Sequence, residues 1–194
     1  THLRGRGKNS TIIDNQVDAY LFDGGVNNIT VQDLMIEVQN LQGNGSVIDD
    51  TSSGIDDWTF INCKFTGEIA LDQESAGWQN IYFFGCRFEL QGSTMTLGDA
   101  ASTEWRFHDC YIEADQITAN GDRFHFTNCR MISDSDGNTL FETNLTNSIV
   151  VGNVLEHSSS SGDNLIDIQG NNNNFSNNYI KNASANATGI TIQS

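Results

Sequence analysis

The amino-acid sequence predicts an all-β fold: a single-stranded, right-handed parallel β-helix of about seven to eight coils, forming a single domain over residues 1–194. Three observations support this prediction. A short pattern returns along the chain at intervals of 19 to 29 residues, apolar and polar residues alternate within it, and the chain contains no proline. Stacked coils of short parallel strands explain all three, because nearly every backbone N–H then bonds to a neighbouring coil.

The repeated pattern is clearest around the four cysteines. The segment WTFINCKF returns as IYFFGCRF, WRFHDCYI and FHFTNCRM, with the cysteine in the same place each time. We call this place the slot, and it is occupied in turn by Leu34, Cys63, Cys86, Cys110, Cys129, Asn153 and Asn178. The residues three positions before and two positions after the slot are apolar in every copy, which chance would not produce at 37% hydrophobic content.

A second apolar patch follows each slot at a less regular distance. Its members are Ile69 and Leu71, Met95 and Leu97, Ile117, Leu140 and Phe141, Ile166 and Ile168, and Ile190 and Ile192. Clusters of Gly, Asn, Asp and Ser lie between the patches and indicate turns. The apolar spacing of two and the abundance of β-branched and aromatic residues argue against a helical solenoid. A leucine-rich repeat is excluded because its leucine framework is absent.

The shared position of the cysteines has three possible explanations. Disulfides between adjacent coils are close enough on distance, but parallel Cβ vectors would strain them. A zinc site is not supported, since the chain has no CxxC or histidine-rich spacing. We therefore expect a buried column of free thiols that act as small hydrophobic side chains, continued by Asn153 and Asn178. No metal and no cofactor is predicted.

The composition excludes two classes of partner. The net charge is −16, with 25 acidic residues against nine basic ones. Such a surface repels nucleic acids and anionic lipids, and no apolar run is long enough for membrane insertion. An acidic chain with few lysines is typical of proteins from high-salt environments, and an ordinary acidic surface protein is the alternative. Because the chain starts without methionine, in strand-like sequence, we expect a processed chain or a fragment.

The opening segments LRGRGKNSTIIDN and VNNITVQDLMIEV resemble the first coils of pectate-lyase-like β-helix proteins, which include viral tailspikes and fibres and secreted polysaccharide-acting proteins. The resemblance implies the fold, but the same fold carries many functions. Motifs of its enzymes, such as GHG, RIK and the proline-containing arginine motif, are absent. The pairs Asp49–Asp50 and Asp56–Asp57 are explained by a surface turn, with an acid/base pair as the alternative. No catalytic residue is assigned.

The outward positions beside the slot hold an unusual share of the chain's cations and aromatic residues. From them we take as candidates for glycan binding or an interface Tyr82, Arg87, Glu89, Arg106, His108, Tyr111, Glu113, His125 and Arg130. Aromatic and arginine side chains suit sugar rings, hydroxyls and carboxylates. Cross-strand pairing, a subunit interface and acid/base chemistry on a glycan are the alternatives.

Seven Asn-x-Ser/Thr sequons, at Asn9, Asn28, Asn44, Asn144, Asn174, Asn182 and Asn186, are compatible with glycosylation outside the cell.

We expect a virion-surface or extracellular protein, like a tailspike or tail fibre, that recognises a host cell-surface polysaccharide or glycoprotein. We expect it to assemble as a homo-oligomer, specifically a trimer. A secreted polysaccharide lyase or hydrolase and a purely structural surface shaft are the alternatives.

Overall fold

The computed structural model describes residues 1–15, 22–23, 27–38, 48–49, 56–67, 70–71, 77–133, 139–158, 165–182 and 190–192. Throughout these ranges the regular structure is β, and each strand pairs in parallel with strands of the neighbouring coils. The predicted all-β parallel β-helix is therefore confirmed.

The strand just before the slot forms the first face of the solenoid, a sheet of eight strands. In stacking order these are His2–Arg4, Ile29–Gln32, Asp56–Ile61, Gln79–Phe84, Arg106–His108, His125–Thr127, Ile149–Val151 and Asn174–Ser176. Residues on this face alternate between a buried core position and an outward one, as the period of two predicts.

The strand just after the slot forms the second face. Its strands are Ile12–Asn15, Met35–Val38, Lys64–Gly67, Arg87–Leu97, Tyr111–Asp122, Arg130–Ser133, Val154–His157 and Tyr179–Asn182. The later parts of Arg87–Leu97 and Tyr111–Asp122 continue into a third face, with Ala70–Leu71, Phe141–Thr146, Ile166–Gln169 and Ile190–Ile192. Phe22–Asp23 and Ile48–Asp49 form a separate pair.

The number of complete turns is slightly lower than the seven to eight predicted. About five turns have all three faces paired, because the third face among the described residues begins only at Ala70–Leu71. The segments that follow the second face in the two earliest coils lie mostly outside the described residues, as do Ile69 and most of the Ser158–Ser161 loop.

The register of the sheets confirms the repeat. The apolar residue three positions before the slot pairs with its counterpart in the next coil from Val31 to Phe175. The residue two positions after the slot does the same from Ile36 to Ile180. Core rings consequently stack along the axis, with centroids 4.7 Å apart between Phe83 and Phe107 and 4.9 Å apart between Phe107 and Phe126.

Both ends of the first-face strands from Ile29–Gln32 onward have left-handed backbone. The residue just before the slot has φ between 51° and 73° in seven successive coils: Asp33, Asn62, Gly85, Asp109, Asn128, Gly152 and Asn177. Asn, Asp and Gly tolerate this conformation best, which explains why only these types occur there. The residue six before the slot, in coils from Asn28 to Asn172, has φ between 52° and 61°. Asp57 is one of these exposed corner residues, whereas Asp50 lies outside the described residues.

The predicted column of buried free thiols is confirmed, and the structure adds a hydrogen-bonding role. All four cysteines are free and at most 2% exposed. Each thiol donates to the carbonyl of the core residue in the preceding coil, as in Cys86 to Phe60, Cys110 to Phe83 and Cys129 to Phe107, all at 3.4 Å.

The two asparagines continue this pattern with stronger bonds. Asn153 Nδ2 donates to the Phe126 carbonyl at 2.9 Å, and Asn178 Nδ2 donates to the Val150 carbonyl at 2.8 Å. Asn153 Oδ1 also accepts the Cys129 N–H at 2.8 Å, a role that a thiol fills poorly. Cysteine and asparagine can therefore occupy one column, because each donates to the carbonyl at the equivalent position of the preceding coil.

We expect the four cysteines to resist alkylation in the folded protein. All four side chains are at most 2% exposed, so the reagent cannot reach the sulfur atoms. Burial also raises the pKa of the Cys86 thiol to about 12, and only a thiolate reacts readily. A hydrogen bond with Cys86 lowers the pKa of Cys63, so at that position burial alone must protect the thiol. Mass spectrometry after treatment with N-ethylmaleimide should detect no adduct on the folded chain and four adducts on the unfolded chain. Labelling of any cysteine before unfolding would contradict the buried column.

Candidate functional site

The nine candidate residues lie on two adjoining faces. Tyr82, Arg106 and His125 form one outward column of the first face, and His108 lies in the next outward column. The second face holds the other five in two outward columns: Arg87, Tyr111 and Arg130, and beside them Glu89 and Glu113. The structure thus brings the candidates together as two separate groups.

The charged groups of the second face pair with one another. Lys64 Nζ lies 2.6 Å from Glu89 Oε2, and Arg87 Nε bonds to the same carboxylate. Burial pushes the pKa of Glu89 up, but the hydrogen bonds from the two cations outweigh it and hold the pKa below its ordinary value. These cations are therefore neutralised within the face.

The remaining second-face candidates are engaged in the same way. The Arg87 guanidinium lies 4.2 Å from the centre of the Tyr111 ring, and the Tyr111 hydroxyl donates to Glu113 Oε2 at 2.7 Å. Arg130 Nη2 donates to Glu156 Oε2 at 2.8 Å, and this bond lowers the pKa of Glu156. Cross-strand pairing explains the positions of the charged and aromatic candidates on the second face. The second face therefore offers few unpaired groups to a ligand.

The first face presents aromatic and cationic groups to solvent. The Arg106 guanidinium lies 5.3 Å from the centre of the Tyr82 ring, and Phe84 meets His108 edge to face at 6.4 Å. Phe84 is 37% exposed, an unusual value for a phenylalanine on a strand. His108 Nδ1 lies 2.8 Å from Thr127 Oγ1, which orients the ring. These four side chains (Tyr82, Phe84, Arg106, His108) form what we call the first-face strip.

Two residues that were not among the sequence-based candidates hold the strip in place. Glu104 accepts hydrogen bonds from Arg106 Nη2 at 3.2 Å and from Arg123 Nε at 2.7 Å. Both Glu104 and Arg123 have left-handed backbone, at φ 61° and 56°, in the corner column that elsewhere holds Asn or Asp. This backbone costs free energy for such residues, and their mutual ion pair offsets part of that cost. Their place six before the slot was the only sequence signal for them.

His125 lies beside Arg106 in the next coil and differs electrostatically from His108. Burial and the neighbouring Arg106 charge lower the pKa of His125, with a smaller opposing effect from Glu104. Near neutral pH His125 therefore stays uncharged and able to accept a hydrogen bond, while Arg106 supplies the positive charge of the strip.

The described residues contain neither a cluster of metal ligands nor a membrane-spanning helix. No group of three or more His, Cys, Asp or Glu side chains in this part of the chain is placed to hold a metal ion. No helix in the same ranges has the length and apolar character needed to cross a membrane.

Of the two groups of candidates, the first-face strip has the better access to a ligand: rings at its base, one guanidinium above a ring, and an oriented imidazole beside them. Comparison of the chain with protein families, with curated proteins and with solved structures finds no match.

Proposed function

We propose that this chain is the β-helical part of an extracellular or virion-surface protein, similar in role to a tailspike or fibre, and that it recognises glycans on a host cell surface. The observation that carries the proposal is the first-face strip. Its exposed Phe84 and half-buried Tyr82 offer ring faces to sugars, while Arg106 offers charge-assisted hydrogen bonds to carboxylates and hydroxyls.

The guanidinium of Arg106 favours an acidic glycan. Arg106 is 47% exposed in its side chain and bonds to Glu104 through Nη2 only, among the described residues. A guanidinium carries five N–H donors, so donors remain for a ligand carboxylate. Carboxylates also lie beside the strip, since Glu104 bonds to Arg106 and Asp109 Oδ2 lies 3.4 Å from His108 Nε2. The preference for an acidic ligand therefore rests on the remaining donors of Arg106 and not on a net positive charge.

Replacing Arg106 with alanine is expected to weaken the binding of acidic oligosaccharides at least about tenfold, because a charge-assisted hydrogen bond contributes about 1.5–3 kcal/mol. Calorimetry with hyaluronate and oligogalacturonate fragments would measure this. Arg87→Ala is the matched control, since Arg87 is already paired with Glu89 on the second face, and it should leave affinity within about twofold.

Three other outcomes would replace the proposal. Equal losses for Arg106→Ala and Arg87→Ala would place the contact elsewhere, and no binding to any host glycan would favour a structural shaft. If the protein shortened these polysaccharides, and Arg106 or His108 variants abolished that activity, the secreted lyase or hydrolase would be the better account. Chain length and new double bonds in the sugar report this directly.

The proposal includes a high-salt environment. With 25 acidic residues against nine basic ones, self-repulsion outweighs the few exposed ion pairs. We expect the free energy of unfolding to fall when salt is lowered from about 1 M to about 0.01 M, because the screening length grows from about 3 Å to about 30 Å. Unfolding curves at the two salt concentrations test this, and unchanged stability in low salt would contradict it.

We also propose that the protein assembles as a homotrimer. An outward apolar side chain such as Ile12, which is 55% exposed on the second face, is more stable when covered, and fibre-like proteins gain length and avidity from bundled chains. Sedimentation equilibrium would give the mass of the assembly, and a monomer of 21.3 kDa across the concentration range would refute this part of the proposal.

A further inference from the structure

A groove crosses the third face, on a different side of the solenoid from the first-face strip. It has a volume of about 270 Å³, and its polar lining comes from four successive coils. The side chains that matter are Thr96, Thr118, Asn120, Glu142, Asn144 and Gln169. None of them was a candidate on sequence, because the pattern of this face is irregular.

The sheet register arranges these side chains as two parallel ladders. Thr96, Thr118 and Glu142 pair in one column, while Asn120, Asn144 and Gln169 pair in another column two residues further along each strand. Between the ladders lies an inward column that includes Leu97 and Ala119, both buried. Neighbouring rungs of such a sheet are about 4.8 Å apart, so the groove repeats its chemistry along the axis.

Most of the polar groups in the groove are available to a ligand. Glu142 is held by Gln116 Nε2 at 2.7 Å, and Gln169 makes a long contact of 3.4 Å with Asp167. By contrast, the side chains of Thr96, Thr118, Asn120 and Asn144 make no hydrogen bond within the described part of the chain. Asn144 is exposed and the other three are half-buried.

One end of the groove is lined by a glycine that cannot be replaced easily. Gly98 has φ of 66°, and a Cβ there would lie 2.7 Å from Phe124 Cζ and 2.8 Å from the Asn120 carbonyl oxygen. This close packing fixes the backbone beside Asn120, so the amide ladder begins from a rigid position.

The chemistry of the lining selects a class of ligand. Amides and hydroxyls both donate and accept hydrogen bonds, which matches the hydroxyls of a sugar. Glu142 is the one charged side chain among the described lining residues, and its carboxylate would repel an acidic glycan. The volume lies near the lower limit for ligand sites, about 300 Å³, and so suits a short segment of a chain.

We propose that the third-face groove is a second carbohydrate site, which binds an uncharged, hydroxyl-rich oligosaccharide along the solenoid axis through the Thr96–Thr118 and Asn120–Asn144 ladders. The site is independent of the first-face strip, which takes acidic sugars through Arg106. A protein with both sites would hold a glycan that has neutral and acidic portions, or two different glycans.

Nuclear magnetic resonance titration of the unglycosylated, isotope-labelled protein tests the groove, because Asn144 lies in a sequon and must be free of sugar. The probes are maltohexaose, cellohexaose and laminarihexaose. At least one should shift the backbone amides of residues 94–98, 116–120 and 142–146. Asn144→Ala should weaken that binding about fivefold through the loss of one hydrogen bond, and Thr118→Phe should abolish it by filling the groove.

Thr59→Phe is the matched control, since Thr59 has the same outward orientation on the first face and should leave neutral-sugar affinity unchanged. Binding that survives Thr118→Phe, or no binding of any of the three probes, would overturn the groove proposal. Failure of acidic fragments to bind while a neutral probe still shifts the groove would refute the first-face proposal alone, so the two can fail separately.

Discussion

Replacing Phe107 with alanine is expected to lower the free energy of unfolding by about 3–5 kcal/mol, the range seen for large aromatic deletions in packed cores. Phe107 is fully buried and stacks on Phe83 and Phe126, with Phe88 and Trp105 at its edges. Its removal leaves a cavity in the middle of the stack of core rings. This position is far from the terminal coils, which therefore cannot close over the cavity.

Urea unfolding followed by tryptophan fluorescence would measure this loss, since Trp58, Trp78 and Trp105 are all buried and report on neighbouring coils. His108→Ala is the control, because His108 is the next residue of the same strand but faces outward, and we expect a change within about 0.5 kcal/mol. Equal effects of the two substitutions would contradict the inward and outward assignment of this strand.

Replacing Asn153 with leucine is expected to cost about 2–6 kcal/mol, although the two side chains are similar in size. Asn153 is 1% exposed, and leucine would leave the Cys129 N–H and the Phe126 carbonyl without their partner. Each buried backbone group that loses its hydrogen bond costs about 1–3 kcal/mol.

Asn153→Cys separates the two bonds. A thiol in the slot donates to the carbonyl of the preceding coil, as Cys129 does to Phe107, but it accepts poorly. We therefore expect a loss of stability about half that of Asn153→Leu. If the cysteine variant were as unstable as the leucine variant, the thiols and amides of this column would not be performing the same role.

Much of the fold could be predicted because one short pattern fixes the register of two faces. A slip of one residue would place Phe60 or Phe65 in solvent, so the apolar flanks of the slot admit only one alignment. The third face was less predictable, because the chain between the second and third faces varies in length. The pairing of Arg87–Leu97 with Tyr111–Asp122 even shifts register between Leu90 and Thr94.

The candidate sites, like the fold, could be predicted only in part from the sequence. The columns that contain Arg87 and Arg106 were predicted correctly, because outward neighbours follow from the slot. The sequence could not predict that the Arg87 side chain is paired while the Arg106 side chain stays available to a ligand, because this depends on which carboxylate each cation contacts. Glu89 forms ion pairs with Arg87 and with Lys64 of the preceding coil. Arg106 and Arg123 both pair with Glu104, and the Arg106 side chain stays half exposed.

The left-handed corners show what a closer study of the sequence could have recovered. Asp, Asn or Gly stands just before the slot in every coil from Asp33 to Asn177, a regularity as strict as that of the apolar flanks. Six positions before the slot the same rule fails at Glu104 and Arg123, and these two are the residues that anchor Arg106. A break in a repeated turn position therefore indicates where side-chain pairing on the surface departs from the repeat.

Chemical-shift mapping with hyaluronate or oligogalacturonate fragments tests most directly whether the first face is the surface that binds an acidic glycan. We predict that the shifted amides cluster at 82–84, 104–108 and 123–125, around Arg106, and that they leave the second-face column of Arg87 and Arg130 unmoved. Shifts centred on that second-face column, or an absence of shifts with every acidic fragment, would contradict it.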